Sequence, residues 1–136
     1  MPPPRSLRVF LVEDSPILSQ LLSRLLANET SVELVGHADT ADSSVAGIAS
    51  TSPDVVILDL HLRKGTGYDV LRDAGAPRER PVYIVLTNHT APAYRDAALR
   101  AGARHFFDKG REIPAVLALV RRLAAERAQI DKQHEG

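Results

Sequence analysis

Short apolar runs rich in Val, Ile and Phe recur along the chain: LRVFLV (7–12), VELVGHA (32–38), VVILDL (55–60), VYIVLT (82–87) and RHFF (104–107). Most are continuous rather than alternating, the pattern of strands buried on both faces of a parallel sheet. Between them the apolar period lengthens to three and four. In SPILSQLLSRLLANE, Ile17, Leu18, Leu21, Leu22, Leu25 and Leu26 fall on one helical face, with Ser15 placed to cap and Pro16 at the first helical position. ADSSVAGIAS predicts a weaker helix. GYDVLRDAG and APAYRDAALRAG predict short ones that end at the C-cap glycines Gly75 and Gly102. A last helix, roughly 112 to 130, carries Ile113, Val116, Leu117, Val120 and Ala124 on one face. Leu119, Leu123 and Ile130 form a second stripe, available to a partner, a dimer mate or a neighbouring helix.

Five strand–helix pairs in sequence predict an α/β fold, a doubly wound five-stranded parallel sheet with helices on both sides. At 136 residues the chain is one domain, read here as a short arm (1–6), a folded body (7–125) and a polar tail (126–136). Seventeen basic residues balance seventeen acidic ones, so no overall field gathers nucleic acid, and direct nucleic-acid binding is disfavoured. The chain has no cysteine, which excludes disulfides, thiolate metal sites and a cysteine nucleophile. No apolar run is long enough to span a bilayer, and MPPPRS lacks the apolar core of a signal peptide, so a cytoplasmic location is expected.

In such folds ligands bind beyond the carboxyl ends of the strands. Those ends carry Glu13-Asp14, Asp59, Thr87 and Asp108-Lys109. Crowded carboxylates repel unless a cation neutralises them, and all-oxygen donors with no His or Cys at the strand ends favour Mg²⁺ over Zn²⁺. Asp59 then suits the nucleophile of covalent phosphoryl transfer, Lys109 a point charge for the phosphoryl group and Thr87 a hydroxyl donor to it.

An acidic pair after strand one, Asp after strand three, Thr after strand four, and an aromatic residue plus Lys around strand five resemble the receiver domain of two-component response regulators. The resemblance covers roughly residues 7–125. It implies a flavodoxin-like (βα)5 three-layer sandwich. It implies that Asp14 binds Mg²⁺ directly, Glu13 largely through water, and that the backbone carbonyl of His61 completes the metal site. Asp59 would accept a phosphoryl group from a histidine kinase or histidine phosphotransfer protein. Lys109 would contact the phosphate and Thr87 would swing toward it. Phe106 would rotate inward, remodelling the face of helix four, strand five and helix five that controls a downstream protein. The expected state is a monomer or a phosphorylation-dependent dimer.

The chain departs from the family's pattern in places. Gly110 replaces the usual proline after the lysine, which predicts a tighter or more mobile loop and a less rigidly held Lys109. Arg63 replaces a common proline four residues after Asp59, and Asn88 stands where a small residue is usual. His61 and His89 lie two residues after Asp59 and Thr87, where with Asn88 they are candidates for tuning the dephosphorylation rate. A haloacid-dehalogenase-type phosphatase would want a second Asp where His61 stands, and a nucleophile after its first strand. A cobalamin site would want D-x-H-x-x-G, one residue shorter than the spacing of Asp59, His61 and Gly65. A degenerate, non-phosphorylated receiver would act through contacts alone, but the set of acidic, hydroxyl and lysine groups is full. With only AERAQIDKQHEG beyond the fifth helix's core, the chain reads as a stand-alone receiver or one cut from a longer regulator.

Overall fold

The computed structural model describes residues 6–76 and 79–135. Most of the expected N-terminal arm, residues 1–5, lies outside the described residues. The elements alternate throughout: β1 (Leu7–Val12), α1 (Pro16–Ala27), β2 (Val32–Ala38), α2 (Ala41–Thr51), β3 (Val55–Leu58), α3 (Gly67–Asp73), β4 (Val82–Thr87), α4 (Pro92–Arg100), β5 (His105–Asp108) and α5 (Ile113–Glu135). All strand pairings are parallel, in the order β2-β1-β3-β4-β5. The winding therefore reverses at β1 and β3, whose carboxyl ends lie side by side.

Continuous apolar strands split their side chains between two cores, because successive residues point to opposite faces. Val9, Leu11, Ile57, Ile84 and Leu86 pack toward α1 and α5 with Leu22, Leu26, Val116 and Val120. Phe10, Val56, Leu58 and Val85 pack toward α2, α3 and α4 with Ile48, Val70, Leu71 and Ala98. Phe106 joins the second group and Phe107 the first, one on each face of β5. The central strands are buried along their length, whereas edge strand β2 is only half-buried.

The helix boundaries follow local chemistry. Ser15 Oγ accepts from Leu18 N–H with Pro16 in the first turn, and Thr40 and Thr66 form reciprocal capping boxes with Ser43 and Asp69. Gly75 and Gly102 adopt φ of 86° and 116°. They close Schellman motifs: Gly75 N–H donates to Arg72 and Ala76 N–H to Leu71, and Gly102 N–H to Leu99 and Ala103 N–H to Ala98. Helix α4 has no side-chain cap and buries only Ala98.

α5 continues to Glu135 and so takes in residues read from sequence as a polar tail. The extension is pinned at the amino-terminal pole of the sheet. There Asp54 pairs with Arg127 and, at 3.3 Å, with Arg80, and it accepts from Arg8 N–H at 2.9 Å. Asp54 and Arg127 side chains are each only 10% exposed. Along the second stripe of this helix, Leu119 and Leu123 are absorbed by the core, and Ile130 remains 41% exposed. Removing one member of a buried ion pair strands the other, at a cost of roughly 3–5 kcal/mol. Asp54→Ala is therefore expected to lower the free energy of urea unfolding by about 3 kcal/mol. Asp73→Ala, whose arginine partner lies in solvent, should leave the midpoint near wild type.

Candidate functional site

The site assembles at the carboxyl ends of β1, β3, β4 and β5. Asp59 leaves β3 with its N–H donating to Val12 O at 3.1 Å, and Glu13 leaves β1 with its N–H donating to Ala38 O at 3.0 Å. Both side chains are buried, while Asp14 next to them is exposed. Glu13, Asp14 and Asp59 each offer a carboxylate oxygen, and these oxygens lie within 4.8 Å of one another. Hard oxygen donors at that spacing, with one open side, suit a divalent ion of the Mg²⁺ type that keeps water in its remaining positions.

Lys109 reaches in from the end of β5. Its Nζ stands 2.5 Å from Asp59 Oδ2 and 2.7 Å from Glu13 Oε1, and its side chain is 8% exposed. Burial alone would pull this ammonium down, but hydrogen bonds and charge from Asp59 and Glu13 outweigh it, and its pKa is raised. Glu13 is also raised from the ordinary carboxyl value. Burial is the largest cause, and the charge of Asp59 adds to it against the opposing bonds from Lys109 and Ser15 N–H. One cation shared by two buried carboxylates satisfies itself and leaves Glu13 under-compensated.

The loop after β5 turns out to be the tighter of the two forms that Gly110 allows. Lys109 N–H donates to Thr87 O at 2.9 Å. The Asp108 carboxylate accepts from Gly110 N–H at 2.8 Å, and the Asp108 carbonyl accepts from Arg111 and Glu112 N–H. Asp108 itself thus serves the turn and not the cluster. Thr87 is fully buried, and its Oγ1 accepts from His89 N–H at 3.2 Å.

The β3–α3 loop is held from two sides. A Cβ on Gly67 would come within 2.5 Å of Asp59 O, so only glycine lets α3 start against the end of β3. Opposite it, Arg63 N–H donates to Asp39 O and Ala41 N–H donates to Lys64 O. The Arg63 guanidinium grips the Asp39 carboxylate at 3.0 and 3.4 Å, and this hydrogen bond holds Asp39 below the usual carboxyl value. Where the family's pattern has a stiff proline, this chain has a forked ion pair. Asp39 follows β2 at the same sheet edge as Asp14 and Asp59, so reading strand ends would have flagged it, but its partner gives no sequence signal.

His61 and His89 stack with ring centroids 4.3 Å apart, and His89 meets Tyr94 at 5.4 Å. Tyr68 OH donates to the Tyr94 backbone carbonyl at 3.2 Å, tying α3 to α4 beside these three rings. Spacing from Asp59 and Thr87 singles out the two histidines, whereas nothing local marks the tyrosines as their neighbours. His61 N–H lies 3.4 Å from Asp59 Oδ1, and Asn88 is exposed. Phe106 is 9% exposed and packs in the core on the α4 side of the sheet, with the Arg95 guanidinium 5.8 Å from its ring centroid.

Known proteins resemble this chain in sequence and in fold. The chain is 32% identical over 106 residues to protein-glutamate methylesterase/protein-glutamine glutaminase 2 of Anaeromyxobacter dehalogenans, covering 77% of this chain and 30% of that protein. It is 39% identical over 98 residues to the corresponding protein of Agrobacterium fabrum, covering 71% and 28%. It is 27% identical to the DNA-binding transcriptional activator DevR/DosR of Mycobacterium tuberculosis, over 93% of this chain and 58% of that one. The chain thus spans under a third of the methylesterase relatives' length. Among solved structures, the response regulator domain of Thermotoga maritima CheB superposes with a TM-score of 0.75 at 21% identity, covering 92% of this chain and 98% of that one. A CheY-like receiver domain from Methanospirillum hungatei JF-1 gives 0.78 at 21% identity, over 96% and 99%. At that identity the likeness is one of fold, a flavodoxin-like (βα)5 sandwich. The sequence model of the response regulator receiver domain matches residues 9–121, and this chain belongs to that family.

Proposed function

We propose that Asp59 is the phosphoacceptor of a two-component pathway, taking a phosphoryl group from a histidine kinase or histidine phosphotransfer protein. The observation that carries this is Lys109 Nζ bonded to Asp59 beside the oxygen cluster of Glu13, Asp14 and Asp59. An Asp59 oxygen attacks phosphorus as the donor's P–N bond breaks, leaving an aspartyl phosphate and a neutral donor imidazole after proton uptake. Mg²⁺ held by Glu13, Asp14, Asp59 and the His61 carbonyl supplies neutralising charge to the phosphoryl oxygens when bound. Lys109 then exchanges one carboxylate oxygen of Asp59 for a phosphoryl oxygen. Thr87 gives up its bond from His89 N–H and turns its hydroxyl to the same group.

The output change involves Phe106, which packs on the α4 side of the sheet, together with the β4–α4 loop and α4, the least secured helix. A downstream protein reads that change. In this reading the chain acts in the cytoplasm and catalyses nothing beyond its own phosphorylation and dephosphorylation. Methylesterase or DNA-binding activity belongs to the longer relatives.

Incubation with acetyl phosphate and Mg²⁺ should add one phosphoryl group, seen by mass spectrometry as an alkali-labile, hydroxylamine-sensitive adduct. Asp59→Asn should abolish it, and a persisting adduct in that variant would refute the assignment. The stacked rings of His61 and His89 flank the path of attacking water, so His61→Ala/His89→Ala should change the aspartyl-phosphate lifetime several-fold. An unchanged lifetime removes them from the mechanism.

Because its folded pKa is raised, Glu13 contributes stability that is fully present below the ordinary carboxyl value of 4.5. That contribution is lost as pH rises through the folded value, so ionised Glu13 is a net cost at neutral pH. Glu13→Gln should therefore raise the melting temperature in EDTA by about 3 °C while weakening the further rise that Mg²⁺ gives wild type. Calorimetry with and without Mg²⁺ checks both.

A further inference from the structure

The oxygen donors assigned above to a metal ion come from two segments of the chain. Glu13 and Asp14 follow β1, while Asp59 and the His61 carbonyl follow β3. The two strands pair as far as Val12 and Leu58, and Asp59 N–H adds one bond to Val12 O. Beyond that point each segment is tied to the end of β2. Glu13 N–H donates to Ala38 O and Arg63 N–H to Asp39 O, both at 3.0 Å.

The β3–α3 loop that carries His61 is short and closed. Gly67 N–H donates to Leu60 O at 2.9 Å, and His61 bridges Thr66 across the loop. At its tip Lys64 bridges Thr40 in parallel and accepts from Ala41 N–H at 2.9 Å. Gly65, with φ of 77°, runs so near α2 that a Cβ there would come within 2.6 Å of the Ala41 Cβ. Arg63 makes this seat specific, because three of its N–H groups donate to one residue, Asp39. The backbone N–H reaches the carbonyl at 3.0 Å, while Nε and Nη2 reach the two carboxylate oxygens at 3.0 and 3.4 Å. A forked guanidinium fixes the distance and the tilt of its partner, as a point charge does not. Proline at 63 would make none of the three bonds. The two side chains are 59% and 48% exposed, so the pair adds little to global stability and acts locally.

We infer that Asp39 and Arg63 are positioning residues of the metal site. Their ion pair is a cross-tie that holds the loop of Asp59 and His61 at one spacing from Glu13 and Asp14, and so raises the affinity for a divalent cation. The inference rests on the reading of this cluster as a Mg²⁺ site and deepens it. The tie has no net charge, so it works through geometry and adds no field at the cluster. Residues that orient metal ligands from outside commonly change affinity by about ten- to a hundredfold when removed. Salt screens an exposed pair. Mg²⁺ affinity of this chain therefore carries a dependence on ionic strength beyond that of the carboxylates themselves.

The test is an amide NMR titration of the full chain with MgCl₂, beside Asp39→Ala/Arg63→Ala, which removes one charge of each sign. At low salt the double variant is expected to bind Mg²⁺ about tenfold more weakly. The swap Asp39→Arg/Arg63→Asp should recover most of that loss. The gap between wild type and the double variant should narrow as KCl rises from about 20 to about 500 mM. Glu29→Ala/Arg121→Ala, which removes an ion pair between the α1–β2 loop and α5, should bind as wild type does. In EDTA, amide hydrogen exchange at residues 61–66 should quicken at least about tenfold in the double variant while the urea midpoint stays near wild type. Equal Mg²⁺ affinity in wild type and the double variant overturns the positioning role and leaves the metal site standing. So does a swap no better than the double variant, a gap that salt does not narrow, or unchanged exchange in the loop. A wild-type chain with no Mg²⁺-dependent shifts around Glu13, Asp14 and Asp59 overturns the metal site and the positioning role together.

Discussion

A single ammonium held between two carboxylates organises the functional end of this molecule. Lys109 comes from the outermost strand, Glu13 and Asp59 from the two central ones, and none of the three reaches water freely. An isolated charge in that position would neutralise itself. The three tolerate burial because the parallel sheet delivers their strand ends to one place. The sheet's order, the tight turn after β5 and the glycine at the start of α3 all serve that convergence.

The surroundings of the cluster are held unequally. On the side of β2 and α2, the β3–α3 loop is tied by two backbone hydrogen bonds and a forked ion pair, and two capping boxes fix the adjoining helices. Toward β4 and β5, α4 lacks a cap and rests on one buried alanine. Local stability follows such contacts, so opening motions favour the second side. The cluster's acidic flank is thus set firmly, while α4 on the other flank has little to break.

Much of the fold was legible because burial on both faces leaves an unbroken apolar signature. Strands β1, β2 and β4 stand where the apolar runs place them, while β3 stops at Leu58, two residues earlier than its run, since the chain turns at Asp59. Strand-end reading also brought Glu13, Asp14, Asp59, Thr87 and Lys109 together, because topology converts sequence order into spatial order. What it missed depends on pairs distant in sequence. Arg127 reads as a polar tail residue until Asp54 is seen beneath it, and Arg63 as a lost proline until Asp39 is seen across the loop. Tyr94 reads as an ordinary helix residue, and only the packing of two loops sets it against His89. Polarity patterns carry no record of a partner forty or seventy residues away.

The ring of Phe10 lies where side chains at Gly36 and Gly47 would otherwise be: a Cβ at either would come within 2.8 or 2.5 Å of it. One strand of the central sheet, its edge neighbour and the helix covering them are therefore keyed to a single aromatic. A side chain at either glycine must displace or shrink that ring, and shrinking the ring alone leaves a cavity, so size at the three positions is coupled.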